Sequence, residues 1–321
     1  MSRLRRPKIL VIGELNVDIV VTGLRSAPEM GAEILAEDCE LTLGSASAIF
    51  AAGMAKLGHE VTFVSQVGRD YFGEFCITAL KQLGLSTKHV ARNANEKTGV
   101  TIAFSGTRDR ALVTYSGAVA TLGSAHVIDA LIKQHDHLHL TSYYLQDALR
   151  PSFPAIFRRA KTKGLTTSLD PNSDPSDKWN SDIDAVLTYT DVLLVNEREA
   201  MKLTRSTTPK AALKALGATV DCAVIKRGRS GAIATHKGET FSDAGFKVSV
   251  VDTTGAGDSF DAGFVSAYLA RAPIAECLRA GNACGALSAM GVGGTAGQPT
   301  QPQLQKFLRS NARANRPQRG Y

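Results

Sequence analysis

The chain has 321 residues, of which 44% are hydrophobic and 21% charged, proportions that exclude a disordered or fibrous protein. Its formal excess of +7 matches the arginines of two tails, Arg3, Arg5 and Arg6 at one end and Arg309, Arg313, Arg316 and Arg319 at the other. The near-neutral body between them is unsuited to tracking phosphates, which excludes nucleic acid as a partner. Five scattered cysteines without a CxxC pair encode neither a disulfide framework nor a zinc site and suit a reducing cytoplasm. The apolar run at 9–12 stops at Gly13-Glu14, too short for a signal peptide, and the longest uncharged stretch, 280–305, is too rich in Gly, Gln, Ser, Thr and Pro to cross a membrane.

In chain order, short apolar runs at 9–12, 61–64, 138–140, 166–169, 192–195 and 223–225 alternate with amphipathic stretches at 48–57, 72–83, 154–163, 197–203 and 209–216, several closed by a glycine. This alternation predicts βαβ units, hence a doubly wound, mostly parallel α/β sheet flanked by helices in one domain spanning 1–321, with tails 1–7 and 309–321 mobile. Two stretches, 18–43 and 98–116, break the pattern with successive strand-like segments at 19–21, 33–36, 100–104 and 111–115. They predict a small antiparallel sheet that closes as a lid over the carboxyl ends of the parallel strands, or that pairs two subunits into a homodimer. His135, His137 and His139 alternate but have no carboxylate or Cys cluster near them in sequence, and are expected to flank a helix-to-strand junction rather than bind metal. Trp179, in a polar stretch, is expected to pack on the surface.

Residues 250–264 read Val-Val-Asp-Thr-Thr-Gly-Ala-Gly-Asp-Ser-Phe-Asp-Ala-Gly-Phe. Gly255, Ala256 and Gly257 precede a helix whose apolar face runs Phe260, Phe264, Tyr268, so their amides lie at a helix N-terminus, where unpaired N–H groups and the helix dipole suit a phosphoryl group. Asp258, in the first turn, is placed to take a proton from an attacking hydroxyl. From these four residues alone, a plain turn with a dipole-complementing aspartate stands equally open.

The whole of 252–264 resembles the C-terminal signature of the ribokinase-like (PfkB) family of carbohydrate kinases, and the resemblance runs from Ile9 to about Phe307. Residues 12–18 look like the family's opening strand, 44–58 with 67–73 like its N-terminal signature, Asn196-Glu197-Arg198-Glu199 like its N-x-x-E, and 226–231 like its K/T-x-G-x-x-G. No Walker-A loop occurs. The resemblance implies an ATP-dependent kinase of a small, unphosphorylated sugar or polyol, with Asp258 as general base and Gly255, Ala256 and Gly257 as anion hole. It implies sugar contacts at Asn16, Asp18, Gly44 and Ser45 and nucleotide contacts at Asn196, Glu199, Lys226, Gly228, Gly231 and Asn282. It further implies Mg2+ held through water by Glu199, and a monovalent cation such as K+ at Asp252 and Thr254 with carbonyls of the 290–297 loop. A nucleoside kinase is the rival within the class; a non-catalytic sensor on the same fold is the rival outside it.

The pattern departs at the N-terminal signature, where Ser45 replaces a glycine and Ile49 replaces a sugar-binding asparagine. An aliphatic side chain makes no hydrogen bond, so Ser45 or Ser47 takes over that contact or the substrate lacks the matching hydroxyl. The stretch 170–174 keeps the family's D-x-N but lacks its frequent arginine. Arg69, Arg92, Arg108 and Arg110 are the candidates for reading a phosphate already on the sugar.

Overall fold

The computed structural model describes residues 6–105, 110–179 and 182–311. The chain runs β1 (Lys8–Ile12), β2 (Asn16–Thr22), β3 (Asp38–Leu43), α1 (Ala46–Lys56), β4 (Glu60–Gly68), α2 (Tyr71–Gln82), β5 (Val90–Asn93), β6 (Gly99–Ser105) and β7 (Arg110–Tyr115). It continues through α3 (Asp129–Lys133), β8 (His137–Thr141), α4 (Phe153–Thr162), β9 (Thr166–Asp170), α5 (Ile183–Leu187), β10 (Val192–Asn196), α6 (Glu197–Thr204), α7 (Pro209–Leu216) and β11 (Cys222–Lys226). A hairpin, β12 (Ala232–His236) and β13 (Glu239–Asp243), leads to α8 (Ala256–Leu269), α9 (Ile274–Ser288), α10 (Gly293–Ala296) and α11 (Gln301–Asn311).

Nine strands form one sheet in the order β13-β12-β11-β10-β9-β8-β1-β4-β5. It is parallel except at β12 and β13, which close one edge as an antiparallel hairpin. Alternation along β1 sorts the core into two layers: Ile9 and Val11 face Phe50, Phe63 and Phe264 on the side of α1, α2, α8 and α9, whereas Leu10 and Ile12 face Phe153, Phe157 and Leu140 on the side of α3 to α7. In register, Thr141 of β8 lies opposite Asp170 of β9 and Asn196 of β10 opposite Lys226 of β11, so four polar side chains reach the carboxyl edge together.

The second sheet has the order β3-β2-β6-β7. The strand expected at 33–36 is instead exposed loop, and the pairing strand is β3, whose Leu41 and Leu43 continue the apolar rows of its neighbours. Register gives this sheet two different faces. One carries Thr42–Asp18–Thr101–Thr114 and Glu40–Val20–Ala103–Leu112; the other carries Leu41–Ile19–Ile102–Val113 and Cys39–Val21–Phe104–Ala111.

Three further expectations change. Arg6 is tied down, donating to the carbonyls of Leu57 and Gly58, and α11 carries order through Asn311, whose carbonyl accepts from Arg279; the rest of both tails lies outside the described residues. Trp179 is buried rather than superficial: its ring meets Tyr144 edge-on and its Nε1 donates to Asp177. His135 lies between α3 and β8 and His137 opens β8, so the helix-to-strand junction falls where expected; what changes is that His137 and His139 are fully buried, sharing the Ser168 hydroxyl, with the His139 ring stacked on Phe50 at 3.5 Å.

Burial pushes His137 down to about 3. Its folded value lies below its unfolded one, so the unfolded chain binds the extra proton, and the stability His137 contributes is present above pH 6.5 and lost as pH falls. Replacing His137 by Asn should therefore cost stability at pH 8, and that cost should shrink by about 1.4 kcal/mol per pH unit below 6.5. Urea unfolding of both proteins at pH 8 and pH 5 checks this; an equal gap at the two values would contradict a neutral buried imidazole.

Candidate active site

A cleft of about 1000 Å3 lies between the carboxyl edge of the large sheet and the polar face of the small one. Along the small sheet, Asn16 and Asp18 open β2, and the Asn16 amide donates to Asp18 Oδ1 at 3.1 Å and to Thr101 Oγ1 at 3.3 Å. Gly44 ends the turn after β3; a Cβ there would stand 2.1 Å from Asp18 Oδ1 and 2.8 Å from Asn16 Nδ2, so the absence of a side chain lets the three residues converge.

Ser45 has φ +79, which explains why glycine would be comfortable there. Its hydroxyl lines the cleft but is engaged, donating to the Glu14 carbonyl and capping α1 through Ala48 N–H. Ser47 is fully buried, its hydroxyl bonded to the Glu14 carboxylate at 2.5 Å and to Thr141. Neither serine is placed as a free substitute for the missing asparagine amide. Ile49 instead packs against backbone: its Cγ2 is 3.0 Å from where a Gly255 Cβ would stand, and its Cδ1 2.4 Å from that of Gly294. The position that departs from the family pattern thus shapes the turn before α8 as well as the cleft wall.

At the start of α8, Gly255 caps the helix in the left-handed region at φ +69. The Ala256 N–H turns back to the Thr253 carbonyl at 3.2 Å, so its amide is not turned to the cleft as expected; Gly257 and Asp258 precede the first intrahelical bond, from Ser259 N to Gly255 O. Asp258 keeps a face open to the cleft, yet burial pushes its carboxyl up to about 7, with Asp170 and Glu14 adding to the rise and Lys226 opposing it.

Lys226 is not extended toward the cleft mouth. Its Nζ lies 2.7 Å from Asp170 Oδ2 and 3.0 and 3.1 Å from the two oxygens of Asp261, with its side chain 13% exposed. Burial works against its charge, but Asp170, Asp261 and Glu199 together raise its pKa. Asp170, Asp258 and Asp261 bring ligand oxygens within 4.8 Å of one another, and the Lys226 ammonium bonds two of these three.

Asn196 and Glu199 form a reciprocal capping box on α6, Glu199 N–H to Asn196 Oδ1 at 2.9 Å and Asn196 N–H to Glu199 Oε2 at 2.8 Å. Both also line the cleft. Burial, then the charge of Asp170, push Glu199 up to about 7. Gly228 lines the cleft, whereas Gly231 and Asn282 do not: a Gly231 Cβ would meet the Asp243 carbonyl at 2.0 Å, and the Asn282 amide donates to Asp243 Oδ1 at 2.7 Å. Asp252 accepts from Thr254 N and Gly293 N, which ties the D-T-T turn to the 290–297 loop, and Lys56 pins that loop through the Thr295 carbonyl at 2.6 Å. The loop is therefore a packed element with α10 inside it rather than a plain flexible connection.

Arg69 and Arg92 lie outside the cleft, Arg92 being paired with Glu74, while Arg108 and the Arg110 side chain fall outside the described residues. Sequence reasoning gave no site role to Glu14, Asp170 or Asp261, although Asp170 heads the D-x-N stretch at 170–174. Beyond that motif the available signals were positional: strand carboxyl ends for the first two, and one helical turn past Asp258 for the third.

The family model described as pfkB family carbohydrate kinase matches residues 6–301. Ribokinase of Haemophilus influenzae is 28% identical over 94% of this chain and 99% of its own length, and the ATP-dependent ribose-1-phosphate kinase of Halopiger xanaduensis is 30% identical over 94% and 98%. The structure of Arabidopsis thaliana ribokinase complexed with ribose and ATP superposes with a TM-score of 0.82 at 24% identity, covering 95% of this chain and 99% of that one. The chain belongs to the pfkB family of carbohydrate kinases and has the ribokinase-like fold, as its motifs imply.

If Gly44 gives Asn16 and Asp18 room to converge, Gly44→Ala should lower kcat/KM for the acceptor at least about tenfold while leaving the KM for ATP within about twofold. Steady-state kinetics with each substrate varied in turn measures both; an unchanged acceptor kcat/KM would remove these residues from the acceptor site.

Proposed function

We propose that this kinase transfers the γ-phosphoryl group of ATP to a hydroxyl of a small, uncharged sugar or polyol. The observation that carries the reading is Asp258, a carboxylate half-open to the cleft in the first turn of α8, next to the Gly257 amide. The acceptor hydroxyl gives its proton to Asp258 as its oxygen attacks the γ-phosphorus; the bond to the bridging oxygen breaks and its electron pair leaves with ADP. The Gly257 and Asp258 amides and the positive end of α8 face the spreading charge. Asn16, Asp18 and Gly44 hold the acceptor, and Asn196, Glu199 and Gly228 lie on the nucleotide side. Magnesium suits the hard oxygens of Glu199 and Asn196 and, when bound, neutralises nucleotide phosphate charge. Potassium suits Asp252, Thr254 and the 290–297 carbonyls, and reducing conditions suit five free thiols, consistent with a cytoplasmic protein. No helix is long and apolar enough to cross a membrane among the described residues.

Cleft charge favours an unphosphorylated acceptor. Glu14, Asp18, Asp147, Asp170, Asp174, Glu199 and Asp258 line it against Arg150 and Lys226, which both face carboxylates; a phosphate on the acceptor would meet net repulsion. A second reading, a nucleoside acceptor, is favoured by one observation: the apolar rung Val20–Ala103–Leu112 faces the cleft beyond the polar rung of Asp18, and a base fits an apolar wall as a sugar hydroxyl does not. The opposite face of the small sheet exposes Val113 at 59% and Tyr115 at 51% beside Ile19 and Ile102. That apolar face supports a homodimer through the lid, for which Val113→Lys is expected to shift the sedimentation coefficient to that of a monomer.

Asp258→Asn should retain the fold and ATP binding and lower kcat at least about a hundredfold with the best acceptor from a panel of sugars and nucleosides. In the wild type, kcat/KM should fall as pH drops through about 7, because a base pushed up to about 7 gains its proton there. Undiminished turnover by Asp258→Asn would favour another base, and no turnover of any acceptor by wild type would favour the sensor reading.

A further inference from the structure

We propose that Lys226 is the fixed counter-ion of the transfer site, and that Asp170 and Asp261 are positioning residues that hold its ammonium beneath the first turn of α8. The proposal rests on Asp258 as the base.

A lysine that followed nucleotide phosphates would need a free, swinging head. Here β11 ends at Lys226 and β9 at Asp170, while Asp261 comes one turn after Asp258 on α8. Bonds at 2.7 Å to Asp170 and at 3.0 and 3.1 Å to Asp261 fasten the ammonium to both elements. A Cβ added at Gly257 would stand 3.6 Å from Nζ, so the charge lies against the backbone whose amide faces the transferred group. Lys226 thus acts from behind the anion hole, in a space where burial leaves its field little screened.

The groups facing Asp258 come from several elements: Asp170 from β9, Glu14 from the turn after β1, Lys226 from β11, and Asp261 on its own helix, with Glu199 of α6 facing Lys226. Lys226 is the cation in this set among the described residues. Its charge keeps Asp258 available as a base next to three other carboxylates; Asp261 anchors that charge and touches no reacting atom.

The test uses the full-length enzyme, its best acceptor and saturating Mg-ATP, with pH–rate profiles for Lys226→Met and kinetics at pH 8 for Asp261→Ala and Asp261→Asn. Lys226→Met should move the acid limb of kcat/KM up by at least about one pH unit and lower kcat at pH 7 at least about tenfold, with part of the loss recovered at pH 9. Asp261→Ala should lower kcat about tenfold at nearly unchanged KM for both substrates, and Asp261→Asn, which still offers Lys226 an oxygen, should recover most of it. A limb that stays in place in a folded Lys226→Met protein would overturn the proposal. Should that variant fail to fold, wild-type kcat in Asp261→Ala would overturn it instead. Asp258→Asn is run alongside: if it stays active the base assignment falls, whereas an inactive Asp258→Asn with an unmoved Lys226→Met limb removes only the role given to Lys226.

Discussion

One ammonium among buried carboxylates is the constraint on which the proposed transfer site depends. Asp170, Asp258 and Asp261 crowd their oxygens within 4.8 Å, and ionised together without a cation they would repel strongly in a poorly screened interior. Parallel register delivers the remedy: β9, β10 and β11 bring Asp170, Asn196 and Lys226 to the same edge, and α8 lays its N-terminus over them. The fold and the electrostatics are therefore one arrangement. Slipping β11 by one residue would turn Lys226 to the other face of the sheet and leave two buried carboxylates without their partner.

The proposed acceptor side obeys a different logic, set by the pleat of the small sheet. Because side chains alternate, its four strands present a polar and an apolar rung to the cleft and apolar rows to the opposite side. Ile49 joins this side to the phosphate side. It stands on α1, packs on Gly255 and Gly294, and so links the wall of the cleft to the turn that aims the α8 amides. A change there would be felt at both substrates, and an asparagine in that place would bury an amide against two glycine backbones.

Much of this was legible in the chain itself. The parallel strands and the 252–264 motif were, because continuous apolar runs and glycines at a helix start leave strong local signals. The hairpin β12–β13 and the short β5 were not: β13 and β5 are the edge strands, which bury one face or less and carry little hydrophobic pattern, and β12 is a five-residue strand with a single long aliphatic, Ile233. The misplaced second strand of the small sheet shows the same weakness: 33–36 is the more apolar stretch, yet register with β2 selected Asp38–Leu43. Site residues followed a similar divide. Asn16, Asp18, Gly228, Asn196 and Glu199 line the cleft, whereas Gly231 and Asn282 pack around Asp243 and Ala256 spends its amide within the turn. Asp170 was noted only as the head of a D-x-N stretch and Asp261 not at all, because their pairing with Lys226 spans 56 and 35 residues of sequence; single-chain patterns do not report such pairings.

The most direct test of the account is a crystal structure of the enzyme with acceptor, ADP and aluminium fluoride as a mimic of the phosphoryl group in flight. The account predicts the fluoride plane against the Gly257 and Asp258 amides, the acceptor hydroxyl within about 3 Å of the Asp258 carboxylate, and Lys226 still bound to Asp170 and Asp261 beneath them. An acceptor hydroxyl turned to another base, such as Glu14, with the fluoride remote from α8, would contradict it.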